Sequence, residues 1–431
     1  MSQEARFDEY FETLCGAIGH RDRHAPLEAY LKGLIIPGRR KSVEPMAARV
    51  DPEGVRARHQ SMHHFVANAP WADADMLRLA RRYAKPQMES HGSIAAWIVD
   101  DTGYRKKGKH SVGVANQYCG VLGKNDNCQV AVTVSWCNEE ASLPVGYRLY
   151  LPESWTSDPE RCRRCGVPEG TVFATKPEIA NSLIGQLLSE PEAPRSVPVV
   201  ADAGYGNSSV FRQQLTDYGL QYIVGVQGST TVWPPGQAPL PPPEYSGRGR
   251  RPKNQRLDDQ HRPVQLLELA RSLDDDQWHE VTWTTGTQGP MTGRFAALRV
   301  RPAHGDRKRA QPHAVEWIII GWPPHKDEPT HYWLSTLPST ASLETLVKLA
   351  KLRWRVERDY QELKQEFGLN HYEGRGWRGF HHHASLCIAA YAFFIAERAR
   401  LSPPHPQRKP PFNVPALPGT FRARGASAGP L

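Results

Sequence analysis

Two short apolar runs of this sequence each end in an aspartate. Residues 95–99 (AAWIV) lead into Asp100, and residues 197–201 (VPVVA) lead into Asp202. Apolar runs of this length, bounded by polar residues and glycines, are typical of strands that are buried in a sheet. Each run is therefore predicted to be a strand that delivers a carboxylate to one edge of that sheet.

The elements around these runs predict an α/β fold. The predicted elements, in chain order, are strands at 95–100, 112–118 and 129–136, a helix at 179–188, a strand at 197–201, a helix at 208–218 and a strand at 222–226. We interpret the first three strands as an antiparallel meander, because short turns join them. Three strands followed by two helix–strand units is the order expected of an RNase H-like mixed sheet.

The regions before and after these elements have different sequence patterns. Helical periodicity dominates the N-terminal region, and four strand-like runs between 278 and 337 predict a mainly β insertion. A start signal at 338–340 predicts one long helix through Phe367, and a second helix is expected from about His382 to Leu401. The predicted segments are a helical DNA-binding domain at 1–88, the first part of the catalytic core at 89–227, the β-rich insertion at 228–330, the last part of the core at 331–400 and a disordered basic tail at 401–431.

Composition limits the partners and the compartment. The formal net charge of +9 favours a polyanionic partner such as nucleic acid. The longest strongly apolar run, residues 387–396, is shorter than the roughly 20 residues that a membrane-spanning helix needs. Seven cysteines, an odd number, suggest free thiols in a reducing cytoplasm. We therefore expect a cytoplasmic protein that has no membrane partner.

Three acids form the candidate catalytic set. Asp100 and Asp202 follow strands, and Glu357 lies on the helix after the insertion. Phosphodiester cleavage commonly uses two divalent ions roughly 4 Å apart, held by hard oxygen ligands. The sequence therefore predicts that these three carboxylates bind Mg²⁺ or Mn²⁺, with two ions in the site.

The helix that carries Glu357 has a distinctive border. A buried stripe is predicted at Leu349, Arg353, Val356, Tyr360, Leu363 and Phe367. Arg353, Glu357 and Lys364 can share one edge of this stripe, where the acid would hold metal and the two cations would contact the DNA backbone. A solvated helix with i,i+4 ion pairs has a similar pattern, so both interpretations remain open at this point.

These blocks together resemble the DDE transposases of bacterial insertion sequences. In one group the last acid lies in a Tyr-(2)-Arg-(3)-Glu-(6)-Lys motif, which maps here to Ala350, Arg353, Glu357 and Lys364, with the tyrosine replaced. The blocks WIVDDTGYRKKGKHSVGVANQYCG, VVADAGYGN and LRWRVERDYQELKQEFGLNHYEGRGW look like the branch typified by insertion sequence seven-hundred-and-one. The resemblance implies a transposase, associated with the bacterial nucleoid, that acts as a homodimer or a larger assembly. It would bind terminal inverted repeats in double-stranded DNA, hydrolyse the element ends and join the freed 3′-hydroxyls to target DNA.

Two adjacent acids compete for the first catalytic position. Successive strand residues point to opposite faces, so only one of Asp100 and Asp101 can face the site. We favour Asp100, because the Asp-x-Thr pattern of Asp100 and Thr102 resembles the first-acid motif of related transposases. Asp101 would then lie on the other face or begin the turn, where it would cap the turn or pair with the basic run that follows. Four further DNA contacts are predicted in this basic segment: Arg105, Lys106, Lys107 and Lys109.

Two other motifs suggest metal binding less strongly. Cys162 and Cys165 form a lone CxxC pair without a second pair at zinc-site spacing, which favours unpaired thiols in a polar loop. Residues 381–383 are three consecutive histidines, which point in different directions around a helix and are interpreted as a polar helix start near DNA.

Two alternative functions fit the same sequence. A nuclease of this fold could cut DNA without strand transfer, because strand transfer uses the same metal site. A transposase-derived protein could also bind DNA without catalysis, although the presence of all three acids argues against it.

Overall fold

A mixed β-sheet forms the centre of the protein. The computed structural model describes residues 2–286 and 289–401, and within them twelve strands pair into one sheet. The strands are β1 (Ala96–Arg105), β2 (Ala115–Cys119), β3 (Lys124–Cys137), β4 (Ser142–Leu149), β5 (Val199–Ala201), β6 (Tyr222–Val226), β7 (Thr231–Trp233), β8 (Val264–Gln265), β9 (His279–Gly286), β10 (Gly289–Pro302), β11 (Glu316–Trp322) and β12 (His331–Ser335).

Helices cover the sheet and form most of the N-terminal region. They are α1 (Gln3–Cys15), α2 (His24–Ile35), α3 (Val43–Val50), α4 (Val55–Ala67), α5 (Asp73–Glu89), α6 (Glu153–Thr156), α7 (Pro159–Arg164), α8 (Lys176–Leu188), α9 (Ala203–Gly206), α10 (Ser209–Asp217), α11 (Leu266–Arg271), α12 (Leu343–Lys351), α13 (Trp354–Gln365) and α14 (Trp377–Leu401).

The two apolar runs are the buried central strands. β1 pairs antiparallel with β3 and parallel with β5, and β5 pairs parallel with β6. Ala96 and Ile98 pack with Val200 against α13, whereas Trp97 and Val99 face the main core on the other side of the sheet. The predicted RNase H-like α/β fold with an N-terminal helical region is confirmed.

The predicted meander is wrong in its order. β3 lies next to β1, and the short strand β2 pairs with the far side of β3. A further strand that we did not predict, β4, pairs with the other half of β3. The reason is burial: the second half of β3 is apolar and buried and can lie beside β1, whereas β2 alternates between exposed and buried residues and suits an edge.

The strands after β6 extend the same sheet. β12 pairs antiparallel with β6, β11 with β12, and β10 with β11. β9 and β7 both pair with β10, and β8 pairs with β7. The β-rich region therefore continues the central sheet, which brings β12 close to the ends of β5 and β6.

The long helix predicted through Phe367 is interrupted. α12 ends at Lys351 and α13 begins at Trp354, with a turn at Leu352 and Arg353. Hydrogen bonds across this turn run from residue i to residue i−3, which tightens the backbone. α12 packs against the strands that follow β6, α13 packs against β1 and β5, and Leu352 contacts both clusters. The break lets each half follow a different part of the twisted sheet.

α14 joins the N-terminal helices to the sheet. It begins at Trp377, earlier than predicted, and packs against α2, α4 and α5 on one side and against β4 on the other. The Tyr10 hydroxyl donates to the carbonyl of Ala389 (2.8 Å), and Arg6 pairs with Glu397. Within the described residues, no helix is long and apolar enough to cross a membrane. The tail predicted to be disordered lies outside the described residues beyond Leu401.

We predict that Gly206→Ala destabilises the fold. A Cβ at this position would lie 1.9 Å from the carbonyl oxygen of Gly225, because α9 packs directly on β6. Overpacking at a rigid backbone contact of this kind costs about 2–3 kcal/mol, measurable by denaturant unfolding. Gly120→Ala is the control, because nothing lies within 4 Å of its added Cβ. Equal stability of the two variants would contradict the close approach of α9 to β6.

Candidate active site

Asp100 and Asp202 lie side by side at the sheet edge. Val99 on β1 pairs with Ala201 on β5 in parallel register, so the next residue on each strand is an aspartate. Neighbouring strands are about 4.8 Å apart, which brings the two acids close together. Asp202 also caps α9, because its Oδ1 accepts a hydrogen bond from the backbone N–H of Gly204 (2.9 Å).

Asp100 is the buried member of the pair. Its Oδ1 accepts from the backbone N–H of Asp101 (2.8 Å), and its Oδ2 accepts from Nη1 of Arg353 (2.8 Å). The pKa of Asp100 is raised to about 7, chiefly by burial; Arg353 and the hydrogen bond from the N–H of Asp101 oppose this shift, and the charges of Asp202 and Asp101 add to it. The local surroundings therefore favour a nearby positive charge.

Arg353 connects Asp100 to the third acid. Its Nη2 donates to Oε1 of Glu357 (2.7 Å), while its Nη1 donates to Asp100. The Glu357 side chain is 59% exposed, on the first turn of α13. Asp202, Arg353 and Glu357 line one cleft of about 330 Å³, together with residues of β12 and α12. The fold thus brings the three predicted acids to one region.

The oxygen atoms of the three predicted acids are chemically suited to bind a hard divalent cation. Carboxylate oxygens are the ligands that Mg²⁺ and Mn²⁺ prefer, and the buried Asp100 lies among further acids. In the described part of the chain, no three His, Cys, Asp or Glu side chains converge closely enough to hold a metal ion. Arg353 lies between Asp100 and Glu357 in this arrangement, so metal binding by all three acids requires its guanidinium to move.

Asp101 faces the opposite side of the sheet from Arg353. Its Oδ2 accepts from Nζ of Lys176 (2.9 Å) and from the hydroxyl of Tyr205 (3.4 Å). Asp101 therefore lies on the other face of the strand, as one of the expected alternatives has it, and the alternative of pairing with the basic run is incorrect. Lys176 begins α8, and Tyr205 lies on α9 directly after Asp202, so Asp101 connects β1 to the turn that carries Asp202.

Lys364 joins α13 to β1. Its Nζ donates to the carbonyl of Gly103 (3.0 Å) and lies 5.1 Å from the centre of the Tyr104 ring. Burial lowers the pKa of Lys364 to about 8. The expected contact of Lys364 with DNA stays a prediction. In the structure, Lys364 connects α13, which carries Glu357, to β1, which carries Asp100. Ala350, which replaces the tyrosine of the motif, lines the same cleft as Glu357.

The basic run after β1 lies away from the carboxylates. β1 was expected to end at Asp100 but continues to Arg105, which places the run roughly 17 Å further along, at about 3.3 Å per residue. Arg105 pairs with Asp126 (3.0 Å), and Nζ of the half-buried Lys106 donates to the carbonyl of Tyr372 (2.8 Å). Lys107 and Lys109 are exposed.

The two secondary motifs are packed into the structure. Cys162 donates to the carbonyl of Trp155 and Cys165 to that of His110, so both thiols lie half-buried on or beside α7 rather than in an open loop. The three histidines are buried within α14 and not at a polar helix start. Burial lowers the pKa of His382 and His383 to about 4.

Residues that pattern reasoning missed also surround the site. Lys176 and Tyr205 fix Asp101, and the half-exposed Trp354 lies in the cleft beside Glu357. Their signals were weak but present: Lys176 follows a helix-capping threonine, and Tyr205 lies within the glycine-bearing turn after Asp202. Which acid they would face could not be read from spacing.

Comparison with known proteins gives two matches. Residues 13–290 match a family described as DDE superfamily endonuclease. The probable transposase for insertion sequence element IS701 of Microchaete diplosiphon is 34% identical over 201 residues, which are 46% of this chain and 48% of that relative. The chain thus spans about half the length of this curated relative in the match. The family match includes Asp100 and Asp202 and ends before Glu357.

We predict that Asp101 and Lys176 are energetically coupled. Their side chains are 22% and 27% exposed, so solvent screens the ion pair less than a surface pair. A double-mutant cycle with Asp101→Asn and Lys176→Met, measured by unfolding, should give a coupling of about 1 kcal/mol or more. The exposed pair Glu28 and Lys32 is the control and should give roughly 0.3–0.5 kcal/mol. A coupling no larger than the control value would contradict the structural role of Asp101.

Proposed function

This chain belongs to the DDE superfamily of endonucleases, and on that premise we propose that it is the transposase of a bacterial insertion sequence. It would cleave double-stranded DNA at the terminal inverted repeats and transfer the freed 3′-hydroxyls to target DNA. The observation that carries the proposal is the parallel register of β1 and β5, which places Asp100 beside Asp202 and opposite the Arg353–Glu357 pair.

Each acid contributes from a different element. Asp100, Asp202 and Glu357 would hold two Mg²⁺ or Mn²⁺ ions, which when bound activate the attacking oxygen and stabilise the leaving oxygen. Because the acids come from β1, the β5–α9 turn and α13, their separation depends on how these elements pack. Lys364 fixes α13 on β1, and Asp101 fixes β1 on the turn after β5.

Arg353 has two roles in this proposal. In the arrangement described here it neutralises Asp100 and Glu357 through separate N–H groups. The same groups suit a phosphate oxygen, because guanidinium binds phosphate with two parallel hydrogen bonds. Arg353 would thus move from the acids to the DNA backbone when substrate enters the cleft.

The wider assembly follows from the same proposal. The N-terminal helices, residues 1–88, would recognise the element ends, and two copies of the chain would hold two ends in a homodimer. The protein would act in the cytoplasm, on DNA of the nucleoid.

We predict that Asp202→Asn and Glu357→Gln each abolish cleavage but leave binding to the element end largely intact. Each change removes a metal-binding oxygen and leaves the basic surfaces unchanged. Cleavage in Mg²⁺ and binding by gel shift are measured on the same end duplex. Loss of binding together with cleavage would contradict a purely catalytic role for the two acids.

Glu366→Gln is the matched control for the third acid. Glu366 is exposed at the end of α13, away from Arg353, so its variant should cleave like the parent. Retained cleavage by Glu357→Gln would move the role to another acid of the helix, of which Glu362 is the first to test.

A further inference from the structure

We propose that a second surface, remote from the carboxylates, binds the phosphate backbone of duplex DNA. We call it the α7 ridge. It consists of five exposed cations: Lys107, Lys109, Arg163, Arg164 and Arg375. The proposal rests on the proposed function, because it takes the substrate to be DNA. It joins Lys107 and Lys109, which the sequence already predicts as DNA contacts, to three arginines that neither the motif nor the comparisons assign.

Three separate segments are held together to form the ridge. Nη2 of Arg161 donates to the carbonyl of Lys109 (3.0 Å), and the Cys165 thiol donates to that of His110 (3.6 Å), which attaches α7 to the loop after β1. The N–H of Trp377 donates to the carbonyl of Cys165 (2.8 Å), which attaches the segment that contains Arg375. The cations therefore come from distant parts of the sequence but lie on one continuous surface.

α7 is anchored by the partly buried Arg161 and Cys162, which leaves its other arginines exposed. The Arg161 guanidinium lies 3.7 Å from the centre of the Trp155 ring. Trp155 is fully buried, and its Nε1 donates to the carbonyl of Val114 (2.8 Å). Because Arg161 and Cys162 anchor the helix, Arg163 and Arg164 point away from these contacts into solvent.

The ridge carries positive charge without matching acids. Across the described residues, none of its five cations forms an ion pair, whereas the neighbouring Arg105 and Arg40 pair with Asp126 and Glu373. The exposed Glu160 is an acid on α7 itself, and Asp158 is used to cap that helix. Unpaired cations on a rigid surface repel one another, so a bound polyanion would relieve this repulsion.

The position of the ridge matches DNA that extends from the active site. Lys107 is seven residues beyond Asp100, and β1 stays extended only to Arg105, so the two residues are at most roughly 23 Å apart. Duplex DNA rises about 3.4 Å per base pair, so Lys107 would contact the backbone within roughly 7 base pairs of the cleaved bond. This distance, with the charge, favours DNA over an acidic protein as the partner.

The test compares two triple variants that lose the same charge. The ridge variant carries Arg163→Ala, Arg164→Ala and Arg375→Ala, and it retains Arg161 so that α7 stays anchored. The control variant carries Arg262→Ala, Arg271→Ala and Lys326→Ala, which are exposed cations elsewhere on the chain. Circular dichroism and thermal unfolding confirm that both variants fold.

Binding is measured against salt concentration on a long end duplex. The ridge variant should lose roughly 2–3 units of the slope of log K against log salt, since each phosphate contact contributes roughly 0.9. The control variant should keep the parental slope. As the duplex is shortened towards the cleaved bond on the relevant side, the difference in binding between the parent and the ridge variant should disappear.

The outcomes separate this proposal from the proposed function. If the parent cleaves the element end and the ridge variant has the parental slope, the ridge proposal is overturned and an acidic protein becomes the better partner. If the two triple variants lose equal slope, the effect is one of net charge and the proposal is also overturned. If the parent itself neither binds nor cleaves the end duplex, the proposed function fails independently of the ridge.

Discussion

The bidentate bridge from Arg353 to Asp100 and Glu357 is the interaction on which the arrangement of the site depends. It joins a buried strand residue to an exposed helix residue and balances acids that would otherwise repel one another. The bridge depends on the turn between α12 and α13. Arg353 lies in that turn, so the helix break sets the direction from which its guanidinium reaches the sheet edge.

The site is supported from both faces of the sheet. On the α13 face, Lys364 and the hydrogen bond between Tyr360 and Thr133 hold the helix on β1 and β3. On the other face, Asp101 links β1 to α8 and to the turn after β5. Catalysis by several carboxylates requires ligands held within fractions of an ångström, and buried polar links of this kind supply that rigidity.

The central strands and their acids could be predicted because burial leaves a strong local pattern. The runs before Asp100 and Asp202 are apolar at every position, and short runs of this kind, bounded by polar residues and glycines, indicate buried strands. The order of the strands across the sheet could not be predicted in this way. Sequence periodicity indicates which residues are buried, but it does not indicate which strands are neighbours. The meander was therefore placed wrongly, and β4 was missed, although β3 was located correctly.

The partners of charged residues could not be predicted, because they depend on contacts between distant segments. Asp101 pairs with Lys176, and Lys106 donates a hydrogen bond to the carbonyl of Tyr372. In both cases the two residues are far apart in the sequence. The helix break at Leu352 could not be predicted from the sequence for a similar reason. Its two halves have continuous helical periodicity, and only the twist of the sheet beneath them makes the interruption favourable.

The most direct test of the central claim is a titration of Mn²⁺ followed by electron paramagnetic resonance, with the chain bound to its end duplex. The three acids are the proposed ligands and Asp101 is a positioning residue, so Asp100→Asn and Asp202→Asn should lose tight Mn²⁺ binding. Asp101→Asn should keep it, weakened by roughly 10–100-fold as expected for a supporting residue. Tight binding by Asp100→Asn, together with its loss in Asp101→Asn, would contradict the assignment and place the first metal ligand on the other face of β1.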